Sequence, residues 1–381
     1  MSEPESRPQV PYAEDAAGIP AYRQVVDLLD RLSPEERARR GGSLDRYFRR
    51  KGITFCVYGA EGGTERLIPF DHIPRVISGT EWDLVERGSI QRVRALNAFL
   101  ADIYGTREIL RAGIIPEAEV LGNELYCQAA VGVTLPHGVH AHISGIDVVR
   151  VGPTDWYVLE DNLRTPSGVS YMLENRRALQ RIMPELFRSI PVRPVDHYPD
   201  LLLQALKDCA PAGADDPEVV ILTPGAYNSA YFEHAYLAGR MQVKLVEGRD
   251  LIVADGKVWM ETTRGMRRVD VIYRRIDDDF LDPKAFRRDS LLGVPGLVEV
   301  ARRGGVTVAN AVGNGVADDK ATYLRVPEMI RFYLDEEPIL KNVPTFRCSD
   351  PTERSHVLDH LQDLVVKEVH GSGGYGMLVG P

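Results

Sequence analysis

The chain has 381 residues, of which 44% are apolar, and its 46 Lys and Arg against 55 Asp and Glu give a formal charge of −9. An apolar fraction near the globular norm excludes a disordered chain, and the length predicts two or three domains. The acidic balance argues against nucleic acid or an anionic membrane as a partner, because both require a basic surface.

The cysteines and the N-terminus indicate a cytoplasmic protein. Cys56, Cys127, Cys209 and Cys348 are far apart, without the short spacing of a disulfide framework or a structural zinc site. Residues 1–20 are polar and lack an apolar leader, and no later apolar run is long enough to span a membrane. We therefore predict a flexible lead-in at 1–20 and a soluble protein of the reducing cytoplasm.

Residues 21–191 are predicted to form a helical extension followed by a β-hairpin region. The run AYRQVVDLLDRL from Ala21 places its apolar side chains on one helical face, and Ser33-Pro34 ends it. The runs ITFCVYG and ERLIPF flank a Gly-Gly pair and predict a first hairpin. A helical stretch then continues to Gly105, which is a typical stop signal.

Residues 192–312 are predicted to form an α/β subdomain. The strand-like runs EVVILTPG, QVKLVEG, DLIVADGKVWM, RVDVIYRRI and VTVANAVG alternate with helical runs such as LLLQALKDCA and VPGLVEVARRGG. No G-x-G-x-x-G follows the first strand, which argues against a dinucleotide site. Residues 313–381 follow with two predicted helices and the strand DLVVKEV before HGSGGYGM.

The sharpest signal lies in GIDVVRVGPTDWYVLEDNLRTPSG. The four residues GPTD predict a turn, so that Val151 and Trp156 would pair at the end of a hairpin. In that register Asp147 lies directly opposite Glu160, and the period of two puts Asn162 on the same face. Three oxygen-bearing side chains would therefore converge on one patch of the sheet.

This convergence suits a hard divalent cation. Directly opposed carboxylates repel each other, whereas two carboxylates and an amide oxygen suit Mg²⁺ that keeps water or phosphate oxygens as further ligands. Arg164 continues the same face and could meet a phosphate or a developing negative charge. The alternative is a solvated strand end, and a one-residue slip in the hairpin would break the convergence.

Two lysines are candidates for binding phosphate. Lys367 lies on a short apolar strand before the glycine-rich loop, whose backbone N–H groups could form an anion cradle; a glycine-rich turn without a ligand is the alternative. Lys320 follows Asp318 and Asp319, either of which can cap the helix that begins there. A lysine at that end opposes the helix dipole, so it suits an anionic ligand, but a solvated surface lysine is an equal explanation.

Ser167 and Asn228 are candidates for contact with a substrate. Asn228 follows the strand-ending TPG at a helix start that could bind an anionic group, although helix capping explains it equally well. Ser167 lies in TPSG, where a simple turn residue is the alternative.

Three histidines in LPHGVHAHISG have a spacing that could form a metal site. His140 and His142 would share one strand face, with His137 nearby. A tetrahedral transition-metal site needs a third or fourth ligand that the sequence does not place, so we expect strand histidines with satisfied hydrogen bonds instead.

Together these segments resemble the circularly permuted ATP-grasp family, whose relatives include the ligase domain of glutathionylspermidine synthetase. The matching stretches are GIDVVR…WYVLEDNLRTPSGVSYMLENR, ANAVGNGVADDKATY and VVKEVHGSGGYGM, in the order of a permuted member. The resemblance implies an α/β fold with a permuted ATP-grasp core, an inserted three-layer α/β subdomain and a helical N-terminal extension.

The resemblance also implies roles for individual residues, with ATP and Mg²⁺ as cofactors. The implied Mg²⁺ ligands are Asp147, Glu160 and Asn162. The implied ATP-binding residues are Lys320, Lys367 and those of the mobile glycine-rich loop, Gly371, Ser372, Gly373, Gly374, Tyr375 and Gly376. Arg164 is implied as a catalytic residue near an acyl-phosphate.

The chemistry of such a family is ADP-forming ligation of a carboxylate substrate and an amine substrate. ATP phosphorylates the carboxylate, and the amine displaces phosphate to give an amide or peptide-like bond, while the closed loop excludes water. Because the chain ends soon after the glycine loop, we expect the nucleotide lobe at 313–381 to lack the return strand of that loop and later elements. An inactive relative that binds nucleotide or acts as a scaffold is the alternative, and ATP hydrolysis or phosphoryl transfer to a hydroxyl is a third reading.

Overall fold

The computed structural model describes residues 20–59, 62–68, 70, 73–152, 155–370 and 376–380. The lead-in predicted at 1–20 lies outside the described residues except for its last position. The helices are α1 (Pro20–Arg31), α2 (Pro34–Lys51), α3 (Gly79–Ile103), α4 (Glu108–Arg111), α5 (Glu117–Leu121), α6 (Val169–Ile182), α7 (Pro184–Ser189), α8 (Tyr198–Asp208), α9 (Tyr231–Met241), α10 (Asp278–Leu281), α11 (Leu297–Arg302), α12 (Lys320–Tyr323), α13 (Val326–Leu334) and α14 (Pro351–Asp359).

The strands form five small sheets in the described part of the chain. They are β1 (Thr54–Gly59), β2 (Gly62–Leu67), β3 (Gly145–Arg150), β4 (Trp156–Asn162), β5 (Val219–Leu222), β6 (Lys244–Val246), β7 (Leu251–Ala254), β8 (Lys257–Thr262), β9 (Gly265–Val269), β10 (Val271–Arg274), β11 (Thr307–Ala309), β12 (Lys341–Asn342), β13 (Val365–Val366) and β14 (Leu378–Val379).

The N-terminal region is helical, as its apolar periodicity predicts. Ser33 separates α1 from α2 and caps α2, since its Oγ accepts a hydrogen bond from the Glu36 N–H at 3.2 Å. The apolar faces of α1 and α2 pack against α6 and α7 in one buried cluster. The first predicted hairpin forms as β1 and β2.

The long helix α3 supports the sheet that carries the candidate site. It begins with a capping box, in which Ser78 and Glu81 each accept a hydrogen bond from the other's backbone N–H. Leu96, Phe99 and Leu100 are fully buried on its inner face, in the cluster that also includes residues of α13. Glu81 also pairs with Arg150 of β3 at 2.8 Å, so the start of α3 is tied to the hairpin.

Four parallel strands form the centre of the inserted subdomain, in the order β11-β10-β5-β6. Every residue of β5 and β10 is buried, as expected for strands that are covered on both faces. Helices α8 and α9 cover one face, and α11 with the antiparallel sheet β7-β8-β9 covers the other. The three-layer α/β subdomain predicted from the sequence is therefore confirmed, whereas the exact domain boundaries stay predictions.

The C-terminal part contains a return strand that we did not expect. Strands β13 and β14 pair antiparallel across the glycine-rich loop, with Val365 opposite Val379 and Val366 opposite Leu378. The expectation that the chain lacks this strand is wrong, because two apolar residues after the loop suffice to pair with β13. In the part of the chain that the structure describes, no helix is long and apolar enough to cross a membrane.

Candidate active site

The hairpin of β3 and β4 brings Asp147 opposite Glu160, as predicted, but by a different register at its tip. Arg150, not Val151, pairs with Trp156. A one-residue shift between Asp147 and Val148 then restores the predicted opposition, because β4 contributes an extra, exposed residue, Leu159. Such a β-bulge adds one residue to one strand and leaves it unpaired. The turn residues 153 and 154 lie outside the described residues.

The outer face of the hairpin carries the three predicted metal ligands. Gly145 pairs with Asn162, so Asn162 lies one pleat beyond the Asp147–Glu160 pair and on the same face. The Asn162 Nδ2 donates to the Gly145 carbonyl at 3.4 Å. Asn162 also lowers the pKa of Asp147, so the two side chains are close. The structure therefore brings all three side chains together.

Asp161, between Glu160 and Asn162, points to the opposite face. Its carboxylate is 2% exposed and accepts two hydrogen bonds from Arg92 of α3, from Nε at 2.6 Å and from Nη2 at 2.7 Å. Arg92 also donates to Asn342 of β12 at 2.8 Å. This buried pair fixes β4 on α3 and holds the outer face in position. Sequence reasoning missed it, although the alternation of E-D-N indicates that the middle acid faces inwards.

Both predicted phosphate lysines contact Glu160. The Lys320 Nζ lies 2.8 Å from Glu160 Oε1, and the Lys367 Nζ lies 3.8 Å from Glu160 Oε2. The backbone joins the two segments as well, since the Lys320 N–H donates to the Val369 carbonyl at 3.3 Å. Residues 160, 320 and 367 are far apart in the sequence, so this convergence is produced by the tertiary fold. We call Asp147, Glu160, Asn162, Lys320 and Lys367 the hairpin cluster.

The environment of the hairpin cluster disfavours the ionised form of Asp147. Partial burial and, next, the charge of Glu160 raise the pKa of Asp147, whereas Lys367 and the hydrogen bond with Asn162 lower it. The raised pKa means that the ionised Asp147 is disfavoured beside Glu160. A divalent cation between the two carboxylates would remove this repulsion, and the oxygen ligands match the preference of Mg²⁺.

Asp318 positions Arg164 immediately after the hairpin. Its Oδ1 accepts from the backbone N–H groups of Leu163 at 2.5 Å and Arg164 at 3.1 Å, and its Oδ2 accepts from Arg164 Nε at 2.6 Å. Burial alone would lower the pKa of Arg164, but the charge and hydrogen bond of Asp318 raise it overall. The guanidinium is therefore held as a cation just after the hairpin, in an orientation set by its contacts with Asp318.

Asp319, not Asp318, caps the helix that Lys320 begins. Its Oδ1 accepts from the Ala321 N–H at 2.5 Å, and its Oδ2 accepts from Asn123 Nδ2 at 2.6 Å. His370 Nδ1 lies 3.1 Å from the same carboxylate, which ties the segment after Lys367 to α12. The two adjacent aspartates thus have separate tasks, since Asp318 holds Arg164 and Asp319 caps α12 and holds Asn123 and His370.

The structure does not bring the two predicted substrate residues to the hairpin cluster. Asn228 Oδ1 accepts from the Ala230 N–H at 2.9 Å in the turn before α9, so it does not cap the helix, whose N-cap residue is Ala230. Ser167 is exposed, and the residues after it are held by Glu233, whose Oε2 accepts from Ser170 Oγ at 2.8 Å. Among the described residues, no hydrogen bond or ion pair joins Ser167 or Asn228 to Asp147 or Glu160.

Most of the predicted glycine loop, Gly371, Ser372, Gly373, Gly374 and Tyr375, lies outside the described residues. Gly376 follows with a left-handed φ of 65°. A Cβ at this position would push the Glu368 side chain aside, and the left-handed φ itself favours glycine.

The three histidines differ from the expectation of satisfied strand residues. His137 is exposed and bonds to the Asp208 carbonyl at 3.1 Å. His140 and His142 lie in a loop, and the His140 Nδ1 and both ring nitrogens of His142 are buried without a hydrogen-bond partner among the described residues. The expectation is wrong because the loop ties down their backbones, through Asn97 and Asn310, and leaves the rings to pack.

Comparison with known proteins identifies the family. A model of "a circularly permuted ATPgrasp" matches residues 74–381. The chain therefore belongs to the circularly permuted ATP-grasp family. A glutathione synthetase-like effector (GSS30) of Globodera pallida, solved in its apo form, shares the fold with a TM-score of 0.52 at 11% identity, over 80% of this chain and 69% of that one.

Similar proteins include bacterial relatives that are longer than this chain. "Uncharacterized protein sll0335" of Synechocystis sp. is 52% identical over 362 residues, which are 95% of this chain and 75% of that protein. "Uncharacterized protein Rv2411c" of Mycobacterium tuberculosis is 53% identical over 96% of this chain and 66% of its own length. "Putative glutamate--cysteine ligase 2-2" of Frankia casuarinae is 43% identical over 96% of this chain, which spans 43% of that protein.

Proposed function

We propose that the protein is an Mg²⁺- and ATP-dependent ligase that joins a carboxylate to an amine through an acyl-phosphate and releases ADP. Membership of the ATP-grasp family supports an ATP-dependent ligase in general. The observation that carries the finer proposal is Glu160, which faces Asp147 across the hairpin and contacts both Lys320 and Lys367. Acidic metal ligands and cationic phosphate ligands thus meet at one point.

The residues of the hairpin cluster have complementary tasks in this proposal. Asp147, Glu160 and Asn162 would hold Mg²⁺, which supplies charge neutralisation for the phosphates. Lys320 and Lys367 would exchange part of their contact with Glu160 for phosphate oxygens, as point charges on flexible stems. Arg164, whose orientation Asp318 sets, would stabilise the charge that develops as the phosphoryl group is transferred.

The substrates are proposed to be a small-molecule or peptide carboxylate and an amine. The name of the Frankia relative refers to glutamate and cysteine, and such a pair supplies one carboxylate and one amine. We therefore suggest glutamate and cysteine as the first pair to assay. The roles of Ser167 and Asn228 in substrate contact remain part of this proposal, although neither residue contacts the hairpin cluster.

The test measures thermal stability and ADP release on this chain. With ATP and Mg²⁺ at about a hundred times the dissociation constant, the folded state should gain about 2.7 kcal/mol. Glu160→Gln should abolish both this gain and the release of ADP. Asp155→Asn, an exposed carboxylate of the same hairpin, is the matched control and should change neither.

The outcomes separate the proposal from its alternatives. ADP release that requires both a carboxylate and an amine supports the ligase. ADP release without an amine would indicate hydrolysis or phosphoryl transfer, and stabilisation by ATP without ADP release under any substrate pair would indicate a nucleotide-binding scaffold. Absence of both effects would contradict a working nucleotide site in this chain.

A further inference from the structure

A cavity of about 490 Å³ lies beside strand β11, the edge of the parallel sheet. Its walls come from the loop at 129–140, the residues after α8, the end of α11 and the strand itself, and most of the lining side chains are aliphatic. No member of the hairpin cluster lines it. This volume falls within the range of about 300–1,000 Å³ that is typical of small-molecule sites.

His140 gives this cavity a fixed polar point. The residue lines the cavity, is only 5% exposed, and has a buried Nδ1 without a hydrogen-bond partner among the described residues. Its backbone is held on both sides, since its N–H donates to Asn97 at 2.9 Å and its carbonyl accepts from Asn314 at 2.9 Å. Its ring stacks on Tyr104 with a centroid distance of 6.3 Å. The Nδ1 itself is enclosed by protein atoms, so the less buried Nε2 is the ring nitrogen that can meet a ligand in the cavity.

The imidazole is a neutral partner. Burial lowers the pKa of His140 to about 4, so the ring is uncharged near neutral pH and presents one donor and one acceptor. A neutral hydroxyl, amide or amine N–H suits such a ring better than a second buried charge, which would need a counter-ion.

The rim of the cavity carries a cationic side chain. Arg302 lines the cavity at the end of α11 and is 58% exposed, and its contact with Glu299 is long, at 4.0 Å. Glu299 is instead held by Arg303 at 2.6 Å. The guanidinium of Arg302 can therefore turn to an anionic group at the mouth with little loss.

We propose that this cavity is a second binding site, for a small, largely apolar molecule that has a neutral hydrogen-bonding group for His140 and an anionic group for Arg302. The site is separate from the hairpin cluster and does not depend on the proposed ligase activity. The aliphatic walls supply affinity for the body of the ligand, and the two polar points set its orientation.

Anilinonaphthalene sulfonate is a suitable probe, because it combines aromatic rings, an amine N–H and a sulfonate. We expect saturable one-to-one binding to the full chain, measured by calorimetry and fluorescence. Ala301→Phe, which adds a ring at the half-buried Ala301 of the cavity wall, should weaken binding at least about tenfold, which corresponds to about 1.4 kcal/mol. Ala38→Phe, the same change at an exposed helical alanine outside the cavity, is the matched control and should leave the affinity unchanged.

Two further variants test the polar points and guard against misfolding. His140→Phe keeps the aromatic stack and Arg302→Ala removes the rim charge, and each should weaken binding several-fold with an unchanged thermal midpoint. If Ala301→Phe does not fold, Ala212→Trp at the exposed rim takes its place. No binding, or the same affinity in the filled variant as in the Ala38→Phe control, would overturn the proposal. Displacement of the probe by Mg²⁺ and ATP would overturn the separation of the two sites.

Discussion

Adjacent carboxylates in β4 have opposite environments. Glu160 faces outwards and contacts two lysines, whereas Asp161 is buried against Arg92, a residue 69 positions earlier in the chain. The alternation of side chains along a strand predicts that the two acids face opposite ways. The partner of each acid could not be predicted, because Arg92, Lys320 and Lys367 come from distant segments that no local pattern connects.

The buried pair of Arg92 and Asp161 leads to a prediction for stability. We expect Asp161→Asn to lower the free energy of unfolding by about 3–5 kcal/mol, because the change leaves a buried guanidinium without its counter-charge. Urea denaturation of both proteins measures this difference. Asp155→Asn should change the free energy by less than about 0.5 kcal/mol. If Asp161→Asn unfolds at the same urea concentration as the wild type, the pair does not hold β4 in place.

A second prediction at this scale concerns Asp147. Its raised pKa reflects burial and the charge of Glu160, so the ionised carboxylate costs stability when no cation is bound. We expect Asp147→Asn to raise the thermal midpoint of the ligand-free protein at neutral pH and to remove the stabilisation by Mg²⁺ and ATP. Thermal unfolding with and without these ligands gives both values. A variant that is less stable than the wild type without ligand, or that keeps the full ligand effect, would contradict the assignment.

At the scale of elements, the β-bulge at Leu159 decides which side chains of β4 face outwards. Val158 is fully buried, so strict alternation from Val158 would turn Glu160 inwards. The extra residue Leu159 resets the alternation, and Glu160 and Asn162 then face outwards while Asp161 faces α3. The sequence predicted the correct opposition of Asp147 and Glu160 from a tip register that is wrong by one residue, since a bulge is not visible in the pattern of residue types.

The bulge leads to an unusual pair of expected results. Deletion of Leu159 should preserve the site, because Val158 and Glu160 then follow each other in regular alternation and Asp147 stays opposite Glu160. Insertion of an alanine after Leu159 also gives regular alternation, which keeps Asp161 on the inner face, but it places Glu160 opposite Gly145 instead of Asp147 and should therefore remove the stabilisation by Mg²⁺ and ATP. Thermal unfolding with and without Mg²⁺ and ATP compares the two. The explanation is wrong if the deletion is as damaging as the insertion.

At the scale of the whole molecule, buried histidines predict how stability depends on pH. Burial lowers the pKa of His140 and His142 from 6.5 to about 4, and His140 further disfavours the charge on His142. The unfolded chain therefore takes up protons below pH 6.5 that the folded chain binds only near pH 4. The contribution of these histidines to the free energy of unfolding is complete above pH 6.5. It is lost as the pH falls towards 4, at about 1.4 kcal/mol per pH unit for each histidine.

The variant His142→Gln tests this pH dependence. It removes one buried titrating ring. The free energy of unfolding should therefore fall less steeply between pH 6.5 and about pH 4, by about 1.4 kcal/mol per pH unit. His137→Gln, at an exposed ring, should leave the slope unchanged. Urea denaturation across this pH range gives the slopes, and equal slopes for His142→Gln and the wild type would contradict the burial of a neutral ring.

Residue types alone were enough to predict the type and order of the main elements, the covered α/β subdomain and the opposition of Asp147 and Glu160. These features depend on local periodicity and on strand pairing across one short turn, which residue types record directly. The tertiary structure decided which distant side chains meet them: Lys320 and Lys367 at Glu160, Asp318 at Arg164, and the rings of His140 and His142 in a packed loop. These contacts depend on how layers pack and where a bulge falls, and both are set by the whole core instead of by any one segment.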